Sequence, residues 1–207
     1  MKHRFLLAFL LLSAISLHAA NQYVSPNGDD AQDGSSWATA KQSIQSAIDA
    51  ATDGDTIFVA EGTYNQSIAA KQGIHVLGGY SAATGERNPE AYSTILDGTG
   101  LEKALIRQNS SFNTITYFDG LVLQNANHSS NGGAVVLKAN GVLNRCTIRD
   151  CYTSGSGGAV HNSGGTVANC LIELCESMGA GGAVHNIGGL VENTIIRGCK
   201  GNYAAIR

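Results

Sequence analysis

The sequence Gly-Gly-Ala-Val-His-Asn stands at residues 157–162 and again at 181–186, 24 positions later. Its first four residues also occupy positions 132–135. Around this phrase the chain aligns with itself. Segments starting at residues 141, 165 and 189 place Leu143, Val167 and Val191 in one column, and Cys146, Cys170 and Thr194 in a second. Ile148, Ile172 and Ile196 form a third, and Cys151, Cys175 and Cys199 a fourth. A period this regular commits the chain to a repeat architecture, in which each unit buries its apolar face only against its neighbours.

Within one repeat, Leu143, Cys146 and Ile148 read as inward, interleaved with outward Asn144, Thr147 and Arg149, the pattern of half-buried strands. No stretch between them is long enough for a helix. A period of 24 residues with two or three short strands and glycine corners predicts stacked rungs about 4.8 Å apart. A looser, earlier rung is placed at an offset of 26, with Val122 beneath Ile148 and Asn125 beneath Cys151. Burying four side chains per rung gains ~1.5–3 kcal/mol each. Ordering the rung costs ~1–2 kcal/mol per residue in backbone entropy, so an isolated rung does not stand.

Upstream the period changes. Ala40, Ile44, Ala47, Ile48 and Ala51 recur at helical spacing, with Ser36 or Thr39 as caps, and predict one helix over 38–51 that lids the first rung. Strands follow in "DTIFVAEGTY", "IHVLGGY" and "TILDG", separated by a loop at 81–94. At the other end "NYAAIR" opens a new rung with no recognisable cap. The expectation is an open edge that continues into further sequence or pairs with another chain.

Composition narrows the class. With 26 Gly, 2 Pro, 43% apolar and 14% charged residues, the chain is too apolar for disorder and too glycine-rich for a helical bundle. Residues 1–20 read as a secretory signal peptide, with basic Lys2 and Arg4, an apolar run over 5–17 and a small-residue exit. Without Lys2 and Arg4, 11 of the 13 basic residues face 16 acidic ones, a net charge near -5 that excludes a nucleic-acid partner. No other segment is expected to span a membrane as a helix.

The segment "YVSPNGDDAQDGSSWATAKQSIQSAIDAATDGDTIFVAEGTY" resembles the N-terminal part of secreted bacterial right-handed parallel β-helix proteins of the pectate-lyase-like superfamily. There a Ser/Gly/Asp loop, a Trp, an amphipathic helix, "GDTI" and "GTY" follow in order. The rungs are similar to repeats of polymorphic outer membrane proteins, marked by GGA followed by Ile, Leu or Val, and by Phe-x-x-Asn. "GGAV" matches the first mark three times. At 122–125 the second keeps its Asn without the Phe, and at 148–151, 172–175 and 196–199 cysteine replaces the Asn. The resemblance implies an all-β fold: a single-stranded right-handed parallel β-helix (pectin-lyase-like solenoid) with one N-terminal capping helix. The expected organisation is a cap at 21–54, irregular rungs at 55–126 and regular rungs at 127–207, truncated at the C-terminus. The translocating β-barrel of the outer membrane proteins has no counterpart.

The candidate chemistry is sparse. His161 stacks beneath His185, but the preceding rung offers Val136 there, and zinc wants three or four protein ligands, so the pair reads as corner stacking. Asn162 and Asn186 are expected to bond rung to rung. The five cysteines read as a buried ladder of free thiols, since vertical neighbours point in parallel. Asp29, Asp30 and Asp33 share one loop and are the candidate ligands for calcium, the one cofactor considered, although turn chemistry accounts for them equally. The glycine-rich stretches 155–158 and 179–182 do not lead a strand into a helix and are not phosphate cradles. Arg149, Glu173 and Arg197 form an outward ladder of alternating sign. No catalytic constellation stands out. The expected function is therefore an exported, non-catalytic surface or adhesin-type module for an extracellular polysaccharide or a surface protein. The alternative is a fragment of a secreted polysaccharide lyase or glycoside hydrolase.

Overall fold

The structure, a computed structural model, describes residues 19–207, so the expected signal peptide lies outside the described residues except for its last two positions. Four parallel sheets run along the molecule. The first contains Asn21–Val24, Thr56–Ala60, His75–Tyr80, Thr116–Asp119, Gly141–Asn144, Thr166–Ala168 and Leu190–Glu192. The second contains Gly62–Tyr64, Thr94–Asp97, Leu121–Gln124, Thr147–Arg149, Leu171–Glu173 and Ile195–Arg197. The third is built from two-residue strands at Asn127–His128, Tyr152–Thr153, Glu176–Ser177 and Lys200–Gly201. The fourth takes Ile68–Ala69, Ile106–Arg107, Val135–Lys138, Val160–Ser163 and Val184–Asn186. The chain is a parallel β-solenoid.

The regular rungs carry four strands where the sequence suggests two or three, because the chain turns four times per rung. Each turn is made by a residue in the left-handed region, and these residues stack in columns. Gly120, Arg145, Asn169 and Asn193 separate the first sheet from the second; Asn125, Asp150, Leu174 and Gly198 separate the second from the third. Asn and Asp tolerate this conformation better than other side-chain-bearing residues. Arg145 and Leu174 adopt it with their N–H groups donating to Ala168 and Arg197 of the next rung, at 3.2 and 3.1 Å.

The register of the regular rungs agrees with the columns read from the sequence: Leu143 pairs with Val167, Ile148 with Ile172, and His161 with His185. The earlier rung does not. Ile148 lies over Leu123 and Thr147 over Val122, an offset of 25 rather than 26. A one-residue slip exchanges the faces of a strand; accordingly Leu123 is fully buried and Val122 faces outward. Asn144, read as outward, is also buried, because Asp119 and Asn169 close over its amide.

The helix is shorter than expected. A 3₁₀ turn at Trp37–Thr39, capped by Ser36, is followed by a separate α-helix, Ile44–Ala50, capped by Ser43. Residues 40–42 leave the helix because Lys41 gives its backbone to the first strand, its N–H donating to Tyr23 at 2.9 Å. The helix still acts as the lid: Ile44, Ala47 and Ile48 are buried in the same core as Ile57 and Ile68. Both of its ends are charged in the sense its dipole favours. The Asp30 carboxylate accepts from the N–H groups of Gln42 and Ser43 at 2.9 and 2.8 Å, and the Lys71 ammonium donates to the carbonyl of Asp49 at 3.1 Å. Outside the first sheet, Tyr23, Trp37, Phe58 and Tyr80 pack as a ring of four aromatics 4.9 to 5.9 Å apart, pinning the polar N-terminal loop.

Candidate binding cleft

Between His75–Tyr80 and Thr94–Asp97 the chain leaves the rung in the loop 81–93 and returns across the outside of the second sheet. Asn88 donates its N–H to Gly79 at 2.8 Å, and Ser81 donates to Glu86 at 2.9 Å, which closes the loop on itself. Arg87 anchors it. Its Nε donates to the carbonyl of Gly78 at 2.9 Å, its guanidinium lies 5.6 Å from the Tyr80 ring centre, and it pairs with the carboxylate of Asp119.

Asp119 is fully buried at the corner between the first two sheets, and it also takes Arg145 at 2.6 Å and the amide of Asn144. Burial pushes this carboxyl up, but the hydrogen bonds from Arg145, Arg87 and Asn144 outweigh it and hold it below the usual carboxylate range. Asp119 is thus a fixed negative charge shared by two arginines, one from the loop and one from the rung above.

The loop roofs a cleft of about 610 Å³. Its floor is the outward column Ile95, Val122, Thr147 and Leu171 on successive strands of the second sheet. Asn88, Pro89 and Glu90 form the wall contributed by the loop, and Arg145 and Asn169 the corner opposite. Arg149 borders the floor; its Nε and one Nη donate to the neutral amide oxygen of Gln124, at 3.1 and 2.7 Å, and among the described residues it forms no ion pair. The expected ladder continues beyond it, with Glu173 and Arg197 paired at 2.6 Å. The cleft therefore offers an aliphatic floor, amide edges and guanidinium groups, with no aromatic residue among its lining.

The structure keeps the stacked pairs singled out from sequence together and commits the loop carboxylates to local turns. The carboxylates of the N-terminal loop are each committed to their own turn: Asp29 to the N–H of Ala31, Asp33 to the N–H and hydroxyl of Ser35, Asp30 to the helix start. Among the described residues no group of three or more His, Cys, Asp or Glu side chains is arranged to hold a metal ion. The repeated phrase forms the corner between the third and fourth sheets. Gly157 has φ +79°, and Gly158 lies so close to the rung above that a Cβ would stand 2.1 Å from the carbonyl of Gly182. Asn162 points inward and is fully buried, donating to Asn186 at 2.8 Å and accepting from the N–H of Gly165 at 2.9 Å. His161 and His185 face outward with their Nδ1 atoms 3.1 Å apart.

All five cysteines are free, four of them buried. Each thiol donates to the carbonyl two residues before it, from 3.1 Å for Cys151 to 3.5 Å for Cys199. Burial pushes the Cys146 thiol well up, whereas the hydrogen bond with Cys146 holds the Cys170 thiol below the ordinary range.

Sequence reasoning did not find Asp119 or Arg87. They are 32 positions apart and belong to no repeat column. Only the long loop at 81–94 hinted that something leaves the coil there. No family model, no curated protein and no solved structure matches the chain.

Proposed function

We propose that the chain is an exported, non-catalytic β-solenoid binding module of the adhesin type, belonging to the pectate-lyase-like superfamily and carrying outer-membrane-protein-type repeats. Its binding surface is the cleft under the loop 81–93, and its partner is an extended protein segment at the cell surface. The observation that carries this reading is a loop held over an aliphatic column by a dedicated Arg87–Asp119–Arg145 trio. Aliphatic floor and polar rim are the usual make-up of a protein-recognition surface. Asp119, with its proton affinity depressed by two arginines, is poorly suited to act as a general base or acid near neutral pH.

The unneutralised guanidinium of Arg149 on the cleft floor favours the second reading, a lyase or hydrolase acting on carboxylated sugars. The two are separated by one pair of experiments. Extended peptides selected for binding to the protein are retested against Leu171→Asp, with the fold checked by circular dichroism. Peptide affinity falling at least tenfold in that variant supports the binding module. Ultraviolet-absorbing unsaturated product, or new reducing ends, from pectin, alginate or glycosaminoglycans overturns it.

A further inference from the structure

A second depression, of about 320 Å³, lies on the outside of the fourth sheet. Its centre is Val136, whose neighbours follow from register. Arg107 pairs with Val136 from the strand before and His161 from the strand after, while Lys138 lies two residues along the same strand and on the same face. Diagonal neighbours of this kind are about 7–8 Å apart at Cα, within reach of long side chains converging on one small group. Val136 is the shortest side chain of the set, so the cationic residues stand around a recess.

The rim adds Ser163, Asn131 and Ser130, and no carboxylate lines the depression. Among the described residues the ion pairs use Arg87, Arg145 and Arg197, so neither Arg107 nor Lys138 has an acidic partner. Lys138 donates to the carbonyl of Asn109 at 2.6 Å, which fixes its stem beside the recess without cancelling its charge. In a chain with an acidic excess, a concave site with two fixed cations and several hydroxyl and amide donors is a local inversion of charge.

We propose that this recess is an oxyanion site that takes a tetrahedral dianion, a sulfate or phosphate ester borne on a larger ligand, between Arg107, Lys138 and His161. Two fixed positive charges match a dianion better than a carboxylate, and an arginine fork gives directed donors. The site is separate from the cleft under the loop and does not depend on what that cleft binds.

His161 makes the site responsive to pH. Burial, then the neighbouring His185 and Lys138, hold its ring below the ordinary histidine range. Its Nε2 lies 3.2 Å from the Ser163 hydroxyl. The groups facing it are Arg107 and Lys138 from the preceding strands, His185 from the next, and His128 from the third sheet, which also lines the recess. A bound dianion stabilises the protonated ring, so by linkage the affinity rises as pH falls.

The test is a titration of the full chain with sodium sulfate at constant ionic strength held with chloride, followed by NMR of the Arg107, Lys138 and histidine side chains. Saturable shifts at millimolar sulfate are expected, with acetate at least several-fold weaker. Arg107→Gln and Lys138→Gln each weaken binding about tenfold. Val136→Phe, which fills the recess and keeps every charge, also abolishes it. His161→Gln weakens binding at both pH values and removes the several-fold gain between pH 7.5 and pH 5.5, so the ratio of the two affinities falls to about one. Sulfated and phosphorylated disaccharides then identify the source of the group, the tighter one naming it. Shifts that do not saturate above the chloride background overturn the proposal, as does sulfate binding unchanged in the Arg107 and Lys138 variants. Perturbation of His161 and His185 by zinc but not by sulfate overturns it as well.

Discussion

Among single residues, the two carboxylates that matter most are ones no column in the sequence announces. Asp119 is buried with both arginines on it, so removing its charge leaves two guanidinium groups facing each other across the corner. Asp119→Asn is expected to cost about 3 kcal/mol, since breaking one side of a buried charge pair strands the other. It also frees the loop 81–93, so urea denaturation and hydrogen exchange at residues 81–93 are the measurements. Unchanged exchange there would contradict the anchoring role of Arg87. Asp97 makes a different prediction. Burial opposes its ionisation, but donors from Thr99, Gln124 and Asn125 prevail and bring it down to about 2. Because the folded value lies below the unfolded one near 3.9, the stability it contributes is full above pH ~4 and is lost as pH falls towards ~2. Asp97→Asn should therefore flatten the acid limb of a stability-against-pH curve in that window, and an identical limb would refute the assignment.

At the scale of the strand, register decides which apolar residue is core. The regular rungs were legible because three copies repeat the same columns, so Leu143, Ile148 and their counterparts identify one another. The rung at Leu121–Gln124 was misplaced by one residue because Leu121, Val122 and Leu123 are all apolar and give no alternation to align. The left-handed corner at Asn125 stacks under Asp150 with the same offset of 25 on either side, leaving Ala126 to lie under Cys151. The extra residue is taken up at 139–141, between Lys138, which pairs with Ser163, and Val142, which pairs with Thr166. Leu123→Ala should cost ~2–5 kcal/mol, whereas Val122→Ala, at the cleft floor, should cost under ~1 kcal/mol. Comparable losses for the two in denaturant melts would mean the strand is turned over. The helix illustrates the same limit. Its apolar spacing was readable, but residues 40–42 obey the neighbouring strand rather than their own propensity, and no local signal carries that instruction.

At the scale of the molecule, the solenoid was readable and its sites were not. The fold follows from a periodic pattern, which repetition amplifies. The cleft and the anion recess arise where periodicity is broken or irrelevant: a loop that leaves the coil, and Arg107 and Lys138 brought together only by the pairing of strands 29 residues apart. Val136 was visible from sequence as the neighbour of His161, yet its role as the floor between cations needed the earlier rung's register.

The columns of left-handed corners have a further consequence. Because every strand of one regular rung is superposed on the next at an interval of 24 residues, a rung is a unit of chain length as well as of structure. Excising residues 165–188 joins Gly164 to Gly189 and would bring Val191 over Leu143 and Ile196 over Ile148 with no change of face. Such a shortened protein should fold cooperatively, with a smaller denaturant m-value in proportion to the surface lost. Excising 23 or 25 residues at the same place should give a less stable protein than excising 24, because the corner at the junction must take up the odd residue, as the corner at 139–141 does for the 25-residue rung before it. Length in this protein is counted in whole turns, and gene duplication or slippage in multiples of that count could lengthen or shorten it without inventing a new core.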